Sequence, residues 1–323
     1  MRALSNLEKI VIYRVEQLIG LHIAASDGEI GKIKDVYFDD HSWAIRYLVV
    51  EAGAWFTDRK VLISPICVSG IDWDDSAVRV SLSRQQVRTS PPIETDKPVS
   101  RQHEVDLFDY YGYPYYWSGP SLWGGTSNPV SPVGPIPPVR NAAGVHGESP
   151  VDPRLRSARE VIGYRLETTT ESMGHVEDFL VEPETWAIRY LVIDTRSWLS
   201  AKHVVIPPQW IRDVDWSQRE VSIDVSADIV KASPEFDSSV EFSRAHETNL
   251  YEHYQRHEVP MPARPENAPP NCAPIDPARR EEMIRQCAYF RSQLRGPCLT
   301  HEAEDWLAAE RQIDRMLTGH ARD

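Results

Sequence analysis

The octapeptide WAIRYLVV occupies Trp43–Val50, and the nearly identical WAIRYLVI occupies Trp186–Ile193, 143 residues later. When the chain is aligned with itself at this offset, residues 19–111 match residues 162–254 without a gap, with about 28 identities in 93 positions. Solenoid repeats have periods of roughly 20–50 residues, so this period is too long for a solenoid. The chain therefore contains a duplicated domain.

The repeated octapeptide has the composition of a β-strand, because it is rich in β-branched and aromatic residues. Side chains alternate across a strand, and both faces here are largely apolar, which predicts a central strand buried on both sides. Other short strand-like runs lie nearby in each copy, separated by turn residues, as in a small closed barrel. The core residues predicted from the two octapeptides are Trp43, Ile45 and Tyr47 in the first copy and Trp186, Ile188 and Tyr190 in the second.

The order of these signals resembles the PRC-barrel family. The first copy reads IG…DGEIGKIKDVYFDD…WAIRYLVVE…KVLISP…IDWDDSAVRVSLS, and the second copy follows the same order. The family includes the cytoplasmic domain of the photosynthetic reaction-centre H subunit and the C-terminal part of a ribosome-maturation factor. The resemblance implies two barrels of this type in one chain.

We predict a mainly β protein of two tandem small β-barrels, each followed by a short helical arm, with an α-helical hairpin at the C-terminus. Each barrel is expected to fold by itself. The hairpin sequence IRQCAYF…HEAEDWLAAERQI is similar to a small bacterial domain of unknown function with a D-W-L-x-A-E helix. The predicted parts are the first barrel and arm (1–111), a Gly/Pro/aromatic-rich linker (112–154), the second barrel and arm (155–258), a Pro-rich linker (259–274) and the hairpin (275–323).

The composition excludes several classes of partner and location. A formal charge of −13 argues against nucleic acid, which binds clustered Lys and Arg. No window approaches the roughly 20 apolar residues of a membrane-spanning helix, and charged residues interrupt the N-terminal segment where a secretory signal needs an apolar core. Four cysteines without a C-x-x-C pair indicate free thiols. These features predict a cytoplasmic bacterial protein.

Two clusters of residues could carry a function. The aromatic residues of the linker either clamp it onto the first barrel or form a strip that binds a partner, because exposed clustered aromatics often mark interfaces. Together with one hairpin residue they form the candidate interaction surface, which is Tyr113, Tyr115, Tyr116, Trp117, Trp123 and Trp306. The second cluster is His246, His253 and His257; His253 and His257 would face the same way on a helix, as zinc ligands must. We expect these histidines to be surface residues that bind no zinc.

No catalytic motif is present, and the repeated polar residues have simpler explanations. The chain has no nucleophile elbow, phosphate-binding glycine loop or H-E-x-x-H sequence. The carboxylates repeated at Asp35/Asp178 and Asp72/Asp215 are expected to bond nearby backbone amides in turns. Repeated Trp73 and Trp216 are expected in the core or between domains.

Three functions are compatible with the sequence. The first is a non-enzymatic scaffold or adaptor that binds another protein or associates with itself, without cofactor or metal. The second, implied by the family resemblance, is an accessory component of a photosynthetic reaction-centre complex. The third is a metal-dependent enzyme that uses His253 and His257.

Overall fold

The protein is described by a computed structural model that covers residues 12–53, 59–91, 99–117, 121–124, 126–129, 154–195, 202–237, 240, 242–257, 284–285, 306–307 and 310.

The first repeat contains β1 (Tyr13–Arg14), α1 (Val15–Leu18), β2 (His22–Ala25), β3 (Gly28–Asp39), β4 (Ala44–Ala52), β5 (Lys60–Ile63), β6 (Val68–Asp72), β7 (Ala77–Val80), α2 (Arg84–Thr89) and α3 (Arg101–Tyr111). The helical arm predicted after the first barrel is therefore present as α3.

The second repeat has the same order of elements. It contains β8 (Leu155–Ser157), α4 (Ala158–Val161), β9 (Arg165–Glu167), β10 (Ser172–Val181), β11 (Ile188–Asp194), β12 (His203–Ile206), β13 (Ile211–Asp215), β14 (Glu220–Ile223), α5 (Ala227–Ala232) and α6 (Arg244–Arg256). The prediction of a mainly β protein is confirmed. In the part of the chain that the model describes, no helix is long and apolar enough to span a membrane.

The strands of each repeat form one strongly curved sheet. In the first repeat the strand order is β5-β4-β3-β2-β7-β6, and in the second it is β12-β11-β10-β9-β14-β13. The outermost strands β5 and β6 are consecutive in the chain, joined through the 3₁₀ turn Pro65–Cys67. Since Ile63 and Val68 are five residues apart, they lie within about 18 Å of each other, so the sheet curls back on itself. Among the described residues, β5 and β6 do not pair directly, so a fully closed barrel is not seen.

The octapeptide forms the predicted central strand from its second residue onward. Strand β4 lies between β3 and β5, and Ile45 and Tyr47 are fully buried. The tryptophans, however, precede the strands. Trp43 and Trp186 have φ values of 51° and 58°, a left-handed conformation that is uncommon for a bulky residue and places each of them in a turn. Trp186 is buried, whereas Trp43 is only half-buried.

The first strand of each repeat belongs to the sheet of the other repeat. Strand β1 pairs antiparallel with the end of β10, and β8 pairs antiparallel with the end of β3. The two pairings are equivalent under the 143-residue offset, since Arg14 faces Leu180 and Ser157 faces Tyr37. The repeats therefore exchange their N-terminal strands reciprocally, and each sheet has seven strands only when its partner is present.

A second set of backbone bonds joins the repeats where the octapeptides begin. The N–H of Ile45 donates to the carbonyl of Trp186 at 2.9 Å, and the N–H of Ile188 donates to the carbonyl of Trp43 at 2.7 Å. Phe38 and Phe179 meet beside them, with ring centroids 5.7 Å apart. Because strands and core side chains cross between the repeats, the two barrels form one body, which argues against the prediction that each folds by itself.

We therefore expect Trp186→Ala to destabilise both repeats together. Removing a buried tryptophan costs about 3–5 kcal/mol of unfolding free energy, and Trp43→Ala should cost less because Trp43 is half-buried. Urea unfolding followed by circular dichroism should give one cooperative transition, shifted further by Trp186→Ala than by Trp43→Ala. Two separate transitions, only one of which responds to Trp186→Ala, would show that the barrels fold independently.

Candidate interaction site

Two repeated aspartates hold the exchanged arms. Asp35 of β3 accepts bonds from the Ser157 hydroxyl at 2.5 Å and from the Arg159 backbone N–H at 3.3 Å. Asp178 of β10 accepts bonds from Arg14 Nε at 3.1 Å and from the Glu16 backbone N–H at 3.2 Å. The prediction that this pair bonds nearby amides in turns was therefore wrong. Each aspartate also accepts the N–H of the next residue, but its other donors come from the opposite repeat.

Burial changes the acidity of both aspartates. Desolvation raises the pKa of Asp178 to about 6, against the opposing effects of the Phe179 N–H, the Arg14 charge and the Glu16 N–H. Desolvation also raises the pKa of Asp35, mainly against the bond from the Ser157 hydroxyl. The contact between the repeats therefore contains carboxylates that bind protons more readily in the folded than in the unfolded chain.

This shift predicts that stability depends on pH through Asp178. Because its pKa is raised in the folded state, the group adds stability that is complete below about pH 4 and is lost as the pH rises through about 6. Asp178→Asn should remove up to about 3 kcal/mol of the stability gained between pH 7 and pH 4. Urea unfolding at a series of pH values measures this change.

Asp72→Asn is the matched control for this experiment. The Arg79 bond lowers the pKa of Asp72, so this substitution should leave the gain on acidification in place. An Asp178→Asn chain whose stability changes with pH as steeply as that of the unmodified chain would contradict the assignment.

The arm of the second repeat packs on its own barrel, as predicted. Helix α6 brings Glu247 to the barrel residue Tyr190, whose hydroxyl donates to the carboxylate at 2.7 Å. Both side chains are buried, and desolvation, followed by the Glu247 charge, raises the pKa of Tyr190 above its usual range. On the same helix Tyr254 meets the Trp210 ring edge-on at 4.3 Å. The sequence carried the signal for this buried carboxylate, because SRxHE occurs at the start of both arms.

The three histidines of α6 have different structural positions. His246 Nδ1 accepts the Ser243 N–H at 3.1 Å and so caps the start of the helix. His253 lies about two turns further along the helix, where its Nε2 donates to the Ile229 carbonyl at 3.1 Å. His257 is exposed at the helix end. No group of three His, Cys, Asp or Glu side chains within the described ranges is arranged to hold a metal ion.

His253 is not the surface residue that the sequence predicted. Only 8% of it is exposed, and desolvation lowers its pKa, which favours the neutral ring. We expect His253→Ala to lower the unfolding free energy by about 1–3 kcal/mol, because the Ile229 carbonyl loses its donor. The exposed His257→Ala should change it little. Urea unfolding and elemental analysis of the two variants test this; about one zinc per chain, lost in His253→Ala, would instead support the metal-dependent reading.

The aromatic residues after α3 form a cluster on that helix. Phe108 of α3 has the rings of Tyr113, Tyr115, Tyr116 and Trp117 within 6.2 Å of its own. The Tyr116 hydroxyl donates to the buried carboxylate of Glu104 at 2.6 Å, and the Arg101 guanidinium lies over Trp117 at 4.2 Å.

This cluster does not form an exposed strip. Tyr116 and Trp123 are only 3% and 2% exposed, so these two members of the candidate surface lie inside. Tyr113, Tyr115 and Trp117 are half-buried. These contacts fix the segment on α3, and the predicted clamp onto the first barrel stays a prediction.

Only fragments of the C-terminal hairpin lie within the described residues. Trp306 is half-buried and its neighbour Leu307 is 52% exposed, both in a helical conformation. The packing of the rest of the hairpin lies outside the described residues, so the role of Trp306 stays a prediction.

The equivalent tryptophans Trp73 and Trp216 differ in exposure. Each follows an aspartate that accepts backbone N–H bonds within its turn, so the turn prediction for Asp72 and Asp215 is confirmed. Trp73 is 40% exposed and meets Tyr13 edge-on at 4.7 Å. It therefore lies outside the core, one of the two positions predicted for it, and its contact with Tyr13 of the exchanged strand β1 fits the other, a position between domains.

In the second repeat the same position is covered by the chain itself. The guanidinium of Arg156 lies 4.0 Å from the centre of the Trp216 ring, and Trp216 is half-buried. Arg156 is the equivalent of Tyr13 under the 143-residue offset. The two repeats thus share a core but present different surfaces at this turn.

Comparison with known proteins agrees with the described architecture. Residues 11–86 and 153–230 match the PRC-barrel domain, and residues 279–315 match a family of proteins of unknown function, DUF2934. The chain is therefore a tandem PRC-barrel protein with a C-terminal domain of unknown function. An uncharacterized protein of Deinococcus radiodurans is 49% identical over 37 residues, which are 12% of this chain and 14% of that protein. The match thus spans far less than two thirds of that relative.

Proposed function

We propose that this chain is a non-enzymatic scaffold that binds another protein, and that Trp73 is part of its binding surface. The observation that carries the proposal is the difference between Trp73 and Trp216. Arg156 lies over the face of the Trp216 ring, which is half-buried, whereas Tyr13 meets Trp73 only edge-on and leaves 40% of it exposed. Tryptophan is enriched among the residues that dominate protein–protein binding energy.

The surroundings of Trp73 indicate the chemistry of the partner. Asp74 and Asp75 follow it in the same turn and are exposed, and the chain as a whole carries a formal charge of −13. Arg79 already pairs with Asp75 at 3.2 Å, so a basic side chain of the partner would pair with Asp74 while it packs on the indole ring, as Arg156 packs on Trp216. The buried ionisable groups Asp178, Glu247 and His253 bond within the fold, which supports a structural rather than a catalytic role for them.

Capture experiments with the whole chain test the proposal. The unmodified protein, Trp73→Ala and Trp216→Ala would each be used as bait in extracts of the source organism, after their thermal stabilities have been compared. We expect a protein held by the unmodified chain and by Trp216→Ala to bind Trp73→Ala at least tenfold less, about 1.4 kcal/mol.

Two results would contradict this expectation. A partner lost equally from both variants would show that recognition does not depend on Trp73. No protein enriched over an unrelated bait of similar charge would contradict the scaffold itself. The accessory role in a reaction-centre complex and the cytoplasmic location stay predictions of the sequence.

A further inference from the structure

The contact between the two repeats uses the same groups in both directions. Each repeat donates an arm strand, β1 or β8, and receives the other arm on β3 or β10. Each also offers a tryptophan carbonyl to the isoleucine N–H of the other. An interface in which the same patch serves both partners is isologous, which is the arrangement of symmetric homodimers.

Each repeat therefore carries both halves of the interface. Asp35 and Asp178 occupy equivalent positions, and both accept a side-chain donor and a backbone N–H from an arriving arm. If two first repeats met, Asp35 of one could receive Arg14 and the Glu16 N–H of the other. The number of hydrogen bonds would be kept in such a pair, and the Arg14 guanidinium would take the place of the neutral Ser157 hydroxyl at Asp35.

The total side-chain volume at the apolar contact would also be the same in a pair of identical repeats. Phe38 of the first repeat meets Phe179 of the second, and their equivalents under the offset are Val181 and Val36. All four side chains are at most 1% exposed. The contact between different repeats joins Phe to Phe, and the offset symmetry puts Val36 opposite Val181. A pair of identical repeats would place Phe on Val twice. The total buried volume is equal, and cores tolerate such exchanges when volume is kept.

We propose that a second copy of this chain is a partner for this face, so that a repeat of one chain can exchange arms with either repeat of another. The linker 112–154 opposes this exchange in the intact molecule, because tethering raises the effective concentration of the neighbouring repeat. Cutting the linker removes this bias and lets pairs of identical repeats form beside mixed pairs. The inference does not depend on Trp73 or on a foreign partner.

A cleavable form of the full chain tests the proposal. A protease site is placed within residues 131–150, and the purified chain is cut, loosened in mild urea, returned to buffer and weighed by native mass spectrometry. We expect first–second, first–first and second–second pairs, with each identical pair within tenfold of the mixed pair. Mixed pairs alone would overturn self-complementarity, and unpaired halves would overturn pairing through this face.

Arg14→Glu gives the proposal a quantitative signature. The substitution places a second carboxylate against the aspartate that receives the first arm. A first–first pair uses that arm twice, a mixed pair once and a second–second pair not at all. If the variant weakens mixed pairs by a given factor, it should weaken first–first pairs by about the square of that factor and leave second–second pairs unchanged.

A control and an alternative outcome complete the test. Asp74→Lys alters the surface proposed for the scaffold function at an exposed side chain beside Trp73 while it keeps the Trp73–Tyr13 contact, so it should leave all three pairs unchanged and separates the two proposals. If Arg14→Glu only unfolded the first repeat, both of its pairs would fall together and circular dichroism of the cut sample would show lost strand signal. That result, or equal losses in the first–first and mixed pairs, would contradict arm exchange as the basis of pairing.

Discussion

The reciprocal bonding between each arm and the long strand of the other repeat is the constraint on which this structure depends. Strand β1 contains only two residues, and a strand this short has little stability by itself. It is held because Asp178 fixes Arg14 and the start of α1 while β10 supplies the ladder. The equivalent bonds at Asp35 fix β8. One of the seven strands in each sheet is thus supplied by the other repeat.

This constraint explains the conformation of the two tryptophans. Trp43 and Trp186 turn the chain in a left-handed conformation just before the central strands, and their carbonyls bond across to the opposite repeat. Such a conformation is strained for a bulky residue and persists where the surrounding structure enforces it. Here the enforcing contacts come from both repeats at once, which accounts for the appearance of the same residue at the same turn twice.

The sequence was sufficient for the parts of the fold that depend on local pattern. The alternation in the octapeptide identified β4 and β11, and the repeated S-R-x-H-E motif lies at the start of the two arms α3 and α6. It could not show where a strand would pair, because the two residues of β1 fit the edge of either sheet equally well. For the same reason the sequence predicted that Asp178 would bond amides in a turn. Its role at the contact between the repeats could be recognised only once the pairing of the first arm was known.

The candidate site was harder to predict, because exposure depends on what the rest of the chain covers. The sequence left open whether Tyr116 and Trp123 clamp a proline-rich segment or bind a partner, and both are buried. Trp73 looked like a core residue, because it repeats as Trp216, yet the two differ through one change of covering residue from Arg156 to Tyr13. The same residue at equivalent positions of two repeats indicates the same backbone structure, but it does not predict how exposed each side chain is.

At the contact between the repeats, the first repeat has Val36 and Phe38 where the second has Phe179 and Val181. This difference has a consequence for how substitutions can accumulate in such a protein. In a dimer of identical subunits every substitution appears in both subunits. A larger side chain at the interface therefore changes two contacts at once and cannot be compensated on one side only. Joining the subunits in one gene lets one side vary while the other is kept. The ring pair at 5.7 Å and the greater exposure of Trp73 are both asymmetries that only a fused molecule can acquire one residue at a time.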